Sequence, residues 1–174
     1  MTPNARFEEL HRAHKDAVLR VALRYAGGRR AFAEDVVQET FMKAWQNIDR
    51  LREGDAGGWL YVVATRTALS RLRHEAVRNN PLVRWFAPLP AQARDAAHDV
   101  EVSSEARASM QALDVLPPAQ RVAFWMVHVD EKPLADVARV LECSVSYVSR
   151  LVSRAEATLQ QAMTQSAGGT VAAR

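Results

Sequence analysis

Apolar residues recur at spacings of three and four along most of the chain, and no run shows the strict spacing of two that a half-buried strand requires. Residues 7–25 place Leu10, Ala13, Ala17, Val18, Val21 and Ala22 on one stripe, and Gly27-Gly28 stops it. Residues 31–47 predict a second helix, with Val37, Phe41, Ala44 and Ile48 inward. A loop, DRLREGDAGG, separates it from a third helix over 59–78, which turns Leu60, Val63, Ala64, Thr67, Ala68 and Leu72 inward. The texture then changes. Residues 79–107 hold Pro81, Pro88 and Pro90 with the acids Asp95, Asp99, Glu101 and Glu105, the pattern of a linker extended in its first half. Its apolar stretch LVRWFAPLP either touches a partner or packs on a neighbouring domain. Apolar periodicity resumes over 108–163, broken by Pro117-Pro118 with a new helix from Ala119, and Pro133 opens another. The end, TQSAGGTVAAR, reads as a disordered tail over 164–174. The expected fold is all-α: two small helical domains, 1–78 and 108–163, joined by a flexible linker, with a helix-turn-helix in the second.

The second helix carries more than a buried stripe. In AEDVVQETFMKAW, Asp35, Gln38, Glu39 and Met42 form a separate row, which is either solvated surface or a docking face for something basic. Local charge sharpens the question. Residues 31–55 hold six acids (Glu34, Asp35, Glu39, Asp49, Glu53, Asp55) against three bases, whereas residues 59–78 hold Arg66, Arg71, Arg73 and Arg78 against Glu75 alone. Neighbouring segments of opposite sign suggest two different partners. The overall formal charge of +3 over 174 residues does not by itself predict nucleic-acid binding. A single cysteine, Cys143, excludes an internal disulfide and suits a reducing compartment. The N-terminal residues lack a signal-peptide core, and no stretch of about 18 apolar residues occurs. A cytoplasmic protein without membrane insertion is expected.

The sharpest local pattern is PLADVARVLECSVSYVSRLVSRA. Val137, Ala138 and Leu141 make one short helix face, Cys143 sits in a turn, and Val148 and Leu151 follow on the next helix. A small residue where two helices cross, then apolar anchors at these offsets, is helix-turn-helix patterning. Ser144 is placed to cap the second helix, which exposes Ser146, Tyr147, Ser149, Arg150, Ser153 and Arg154. Hydroxyls that reach phosphates or base edges, and arginines that grip guanine through two hydrogen bonds, suit a major groove. A helical hairpin with a solvated polar face is the alternative. Glu142 occupies the turn position where many such motifs carry glycine. In the third helix, Arg66, Ser70, Arg71, Arg73 and His74 lie beside Trp59 and Tyr61, a mix that holds a nucleic-acid backbone and stacks an unpaired base, or else a solvated face over a core tryptophan. His11 and His14 lack a third ligand near in sequence, so metal binding is not expected, and Trp45, Trp85 and Trp125 read as core. No paired-carboxylate or nucleophile–base constellation appears, so neither an enzyme nor a cofactor is expected.

Taken in order over residues 5–163, AEDVVQETFMKAW, WLYVVATRTALSRLR, a linker, LPPAQRVAFWM and the helix-turn-helix resemble the extracytoplasmic-function sigma factors of bacterial RNA polymerase. The resemblance implies that Asp35, Gln38, Glu39 and Met42 dock on the clamp helices of the polymerase β′ subunit, with the β subunit also in contact. It implies that the third helix captures the unstacked non-template strand of the −10 element through Arg52, Trp59, Tyr61, Arg66, Thr67, Ser70, Arg71, Arg73 and His74. The loop 49–58 would hold a flipped base. Ser144, Ser146, Tyr147, Ser149, Arg150, Ser153 and Arg154 would read the −35 element. Three departures are visible. Arg66 stands where the family often has asparagine, Ser149-Arg150-Leu151 replaces the usual Lys-Ser-Arg run, and Glu156 replaces a later base. The resemblance also implies a monomer when free and control by a sequestering anti-sigma factor. A free-standing helix-turn-helix regulator, which would bind duplex DNA alone as a dimer, is the competing reading.

Overall fold

The structure is a computed structural model that describes residues 2–78 and 113–169. The expected linker, residues 108–112 and residues 170–174 lie outside them. All regular structure among the described residues is helical, and they fall into two units.

Unit one is built from α1 (Pro3–Tyr25), α2 (Arg30–Gln46) and α3 (Ala56–Arg78), each packed on the other two. α1 starts earlier than its apolar stripe predicts. Thr2 caps it by accepting a hydrogen bond from the Ala5 amide at 3.3 Å, and Pro3 fits the first turn, where no amide donor is needed. Its end follows the glycines. Gly27 adopts φ 63°, and the Gly28 amide donates back to the Leu23 carbonyl at 2.9 Å, satisfying an orphan carbonyl of the last turn. Val18, Val21, Ala22, Leu23 and Tyr25 are buried, but Ala13 and Ala17 are exposed, so the expected stripe holds only in the C-terminal half. In α2 the expected positions Val37, Phe41 and Ala44 are buried, as is Ile48 in the turn that follows the helix. α3 is entered through a 3-10 turn, Glu53–Asp55, and its first turn approaches α1 closely: a β-carbon at Gly57 would sit 3.2 Å from the His14 ring. Leu60, Ala64, Thr67, Ala68 and Leu72 are buried as expected, and Val63 is half-buried.

Unit two holds a 3-10 turn, Leu113–Val115, then α4 (Pro118–His128), α5 (Leu134–Leu141) and α6 (Val145–Gly169). α4 and α5 each pack on α6. The helix-turn-helix is α5–α6. Val137, Ala138, Val148 and Leu151 are buried at the crossing. Ser144 Oγ accepts the Tyr147 amide at 3.2 Å, which is the expected cap. α6 runs on through Gly169, well into the segment expected as tail, because MTQSA contains no breaker and Thr164 Oγ1 bonds back to the Gln160 carbonyl.

The turn residue Glu142 sits at φ 54°, ψ 47°, the left-handed region, and the amides of Glu142 and Cys143 both donate to the Ala138 carbonyl. That geometry explains why such turns favour glycine. Glu142→Gly is therefore expected to be more stable than Glu142→Ala by about 1 kcal/mol. Urea midpoints of the two variants measure the backbone term with the glutamate side chain removed from both. Equal midpoints would show that the turn carries no strain.

Candidate functional site

The row on α2 is presented much as its spacing predicts: Asp35, Gln38 and Met42 are exposed, with Met42 at 56%, and Glu39 is half-buried. Two of its members are already engaged. Arg71 of α3 donates from Nη1 to Asp35 Oδ2 at 2.9 Å and from Nε to Glu39 Oε2 at 3.0 Å. Lys43 Nζ donates to the other Glu39 oxygen at 2.8 Å and to Thr67 Oγ1 at 3.0 Å. The hydrogen bond from Lys43, and then that from Arg71, hold the Glu39 carboxyl below its ordinary value of 4.5, against partial burial that pushes it up.

On its other flank the row borders an open groove of about 1090 Å³ between α1 and α2. Phe7, His11, Phe41, Met42 and Trp45 supply its apolar lining, and Gln38, Glu34 and Lys15 supply polar edges. Trp45, expected in the core, is instead 43% exposed and stands edge-on to Phe7 at 5.2 Å. Phe41, one turn earlier and buried against Phe7, takes the inner position between α1 and α2, and Trp45 is left at the surface on the Phe7 ring. The groove leaves no mark in the periodicity, because no stripe on a single helix reveals a depression between two. Met42 and Trp45, two large apolar residues three apart on α2, were the available signal.

α3 divides its candidate residues between two faces. Arg66, Ser70, Arg73 and His74 are exposed, at spacings that place them on one side of the helix with Val77. Thr67 and Arg71 face α2. Thr67 is 2% exposed and receives Lys43, so its hydroxyl is not presented to solvent. Trp59 and Tyr61 are half-buried near the start of α3, with the Tyr61 hydroxyl 3.5 Å from that of Tyr25. Arg52 is exposed in the preceding loop, which is anchored by buried Leu51, whose carbonyl accepts from the Arg6 guanidinium.

In unit two the predicted division of α6 holds. Val148, Leu151, Val152 and Ala155 are buried, while Ser146, Tyr147, Ser149, Arg150, Ser153 and Arg154 are exposed, as is the cap Ser144. The Arg150 guanidinium lies over the Tyr147 ring, 5.7 Å from its centre. Glu156 reaches His128 Nε2 of α4 at 3.0 Å, and that imidazole lies tilted against the Phe124 ring at 4.5 Å. Among the described residues, no group of three or more His, Cys, Asp or Glu side chains is placed to hold a metal ion, and no helix is long and apolar enough to cross a membrane.

These surfaces can be set against known proteins. The sigma-70 region 2 family matches residues 10–78, and sigma-70 region 4 matches residues 107–159. The chain is similar to the ECF RNA polymerase sigma factor SigJ of Mycobacterium tuberculosis, 36% identical over 82% of this chain, and to SigE of Mycolicibacterium smegmatis, 27% identical over 88%. It spans 46% of the first relative's own length and 60% of the second's. Among solved structures it is similar to the sigma factor RpoE of Bartonella quintana, crystallised with the anti-sigma factor NepR. The TM-score is 0.60 at 25% identity, covering 91% of this chain and 96% of that one. With sigma-70 regions 2 and 4 matched in order, the chain belongs to the sigma-70 family, among the extracytoplasmic-function RNA polymerase sigma factors.

Proposed function

We propose that this chain binds core RNA polymerase in the bacterial cytoplasm, directs it to promoters carrying particular −10 and −35 elements, and helps to melt them. The observation that carries the reading is the architecture of unit one. A partly acidic row with an exposed methionine on α2 stands beside an exposed arginine and serine stripe on α3. A protein partner of basic character would take Asp35, Gln38, Glu39 and Met42, with acids giving orientation and Met42 adaptable apolar contact. An unstacked strand would run along Arg66, Ser70, Arg73 and His74, with Arg52, Trp59 and Tyr61 at its upstream end. Thr67 supports that helix from inside. Duplex DNA would lie against the exposed face of α6, where Arg150 is held over Tyr147 and Ser144 fixes the start of the helix. All the work is binding energy spent on strand separation, and no covalent step is needed.

The protein is proposed to act as a monomer when free and to be held inactive by an anti-sigma factor. The similarity to a sigma factor solved with one supports this second point. The competing reading, a free-standing dimeric regulator, makes no use of the α2 row. Co-elution with core polymerase separates them. Wild type is expected to bind, and Asp35→Arg/Glu39→Arg is expected to weaken binding by more than about tenfold, because both acids become repulsive toward a basic partner. Far-UV circular dichroism must show that the variant keeps its helices, since the new arginines also face Arg71 and Lys43. Binding that survives reversal would move the docking face elsewhere. A folded wild type that does not bind would favour the regulator.

A further inference from the structure

Five side chains join α2 to α3 in one continuous network: Asp35, Arg71, Glu39, Lys43 and Thr67. Two carboxylates meet two cations in it. The row that reads as acidic in the sequence therefore carries no local excess of charge. Both Glu39 oxygens are engaged, one by Lys43 and one by Arg71, and Asp35 has one oxygen engaged by Arg71. Arg71 also neighbours His74, three residues on along α3, which faces solvent on the proposed strand-binding side. One guanidinium thus lies within reach of two surfaces that would bind opposite charges.

We propose that Arg71 is a positioning residue that links the two surfaces: in the free chain it covers Asp35 and Glu39, a basic docking partner displaces it, and the released guanidinium turns to the phosphates of the captured strand. The proposal rests on the sigma-factor reading above. Its physics is exchange of partners. An ion pair whose members are each more than a third exposed is weak, so it is easily traded for another. A basic partner seated on the two acids leaves Arg71 facing like charge, and the phosphates of a strand on the neighbouring face offer it a new partner, Glu75 one turn away being already paired with Arg29. A planar fork that spans two carboxylates here also suits a phosphate. Linkage then requires the reverse effect, in which strand binding that takes Arg71 uncovers the acids and strengthens docking.

The experiment uses the full chain, core polymerase and a single-stranded oligonucleotide carrying the non-template −10 sequence of a promoter the wild-type holoenzyme opens. Arg71→Gln is expected to dock on core about three- to fivefold more tightly, with a steeper salt dependence, because it leaves the acids uncovered. The resulting holoenzyme is expected to bind the oligonucleotide more weakly by a similar factor. Arg71→Lys keeps the charge but cannot span both carboxylates, so it should tighten docking less. Arg20→Gln removes the same charge from an exposed position on α1 and should change neither step. Opposite signs in the two steps are the signature, since a purely structural role for Arg71 would weaken both. Docking that is unchanged or weaker in Arg71→Gln, or an Arg20→Gln variant that behaves like it, overturns the linkage. Failure of the folded wild type to bind core at all would overturn the sigma-factor reading, and the linkage with it.

Discussion

Phe41→Ala is expected to destabilise unit one by about 3 kcal/mol, without touching any exposed member of the α2 row. Phe41 is only 4% exposed. Its ring lies against Phe7 at 6.2 Å, nearly perpendicular, and against His11 at 4.6 Å, so it is the piece through which the N-terminal half of α1 holds α2. The other ring contact of that half, Phe7 with Trp45, lies at the surface, and Ala13 and Ala17 face solvent. Truncation removes the transfer energy of the ring and leaves a void. The void opens toward the groove, so water can enter it, which places the cost at the lower end of the range for a buried phenylalanine. Hydrogen exchange localises the loss: amides of α1 and α2 should lose protection by about a hundredfold while those of α5 and the start of α6 keep theirs. Phe41→Leu should recover more than half of it. Unchanged protection in α1 would show that Phe41 is not the contact that holds the two helices. Docking on polymerase should fall with the stability, since Met42, Gln38 and Trp45 are displayed on the helix that Phe41 anchors.

The periodicity of the sequence reports which face of a helix is buried, and here it does so well. The inward positions Val37, Phe41 and Ala44 of α2, and the alternation of buried and exposed residues from Ser146 to Ala155, are legible because each depends on one helix alone. Features that need two helices are less visible. The opposite charges of residues 31–55 and 59–78 suggest separate partners, yet part of each segment is the partner of the other. Arg71 meets acids 32 and 36 residues away, and Arg29 meets Glu75 across 46 residues. Helix crossing geometry decides which surface charges pair, and spacing within a helix carries no information about it. The same holds for the groove: Trp45 is apolar and was expected inside, but it lies outside because the space beneath it is already filled by Phe41 and Phe7. The helix termini differ from the apolar pattern for another reason. Local capping by Thr2 and Pro3, and the absence of a breaker before Gly168, extend α1 and α6 beyond their apolar stripes.

Arg121→Ala is expected to cost unit two about 3 kcal/mol, although the residue touches none of the proposed DNA-binding side chains. A buried arginine looks like a liability, but its partners explain it. At 7% exposure, its guanidinium forms an ion pair with Asp114 Oδ1 at 2.6 Å and donates to the carbonyls of Asp114 at 3.0 Å and Leu116 at 3.2 Å. Those carbonyls belong to the turn that precedes Pro117 and Pro118, which have no amide hydrogens to offer. Arg121 supplies from α4 the donors that this segment lacks, and so fixes where the chain enters unit two. Alanine would strand the two carbonyls and release the buried turn residues Leu113 and Leu116. Arg121→Lys retains the charge but not the reach to several acceptors, and is expected to cost about half as much. The decisive comparison is duplex binding at two temperatures. Well below its melting temperature, Arg121→Ala should bind −35 DNA with wild-type affinity and an unchanged salt slope, because no phosphate contact is lost. Near its melting temperature, affinity should fall in proportion to the folded fraction. A loss of affinity and a shallower salt slope in the fully folded variant would instead make Arg121 a DNA contact. That outcome would require α4 to lie against the duplex together with α6.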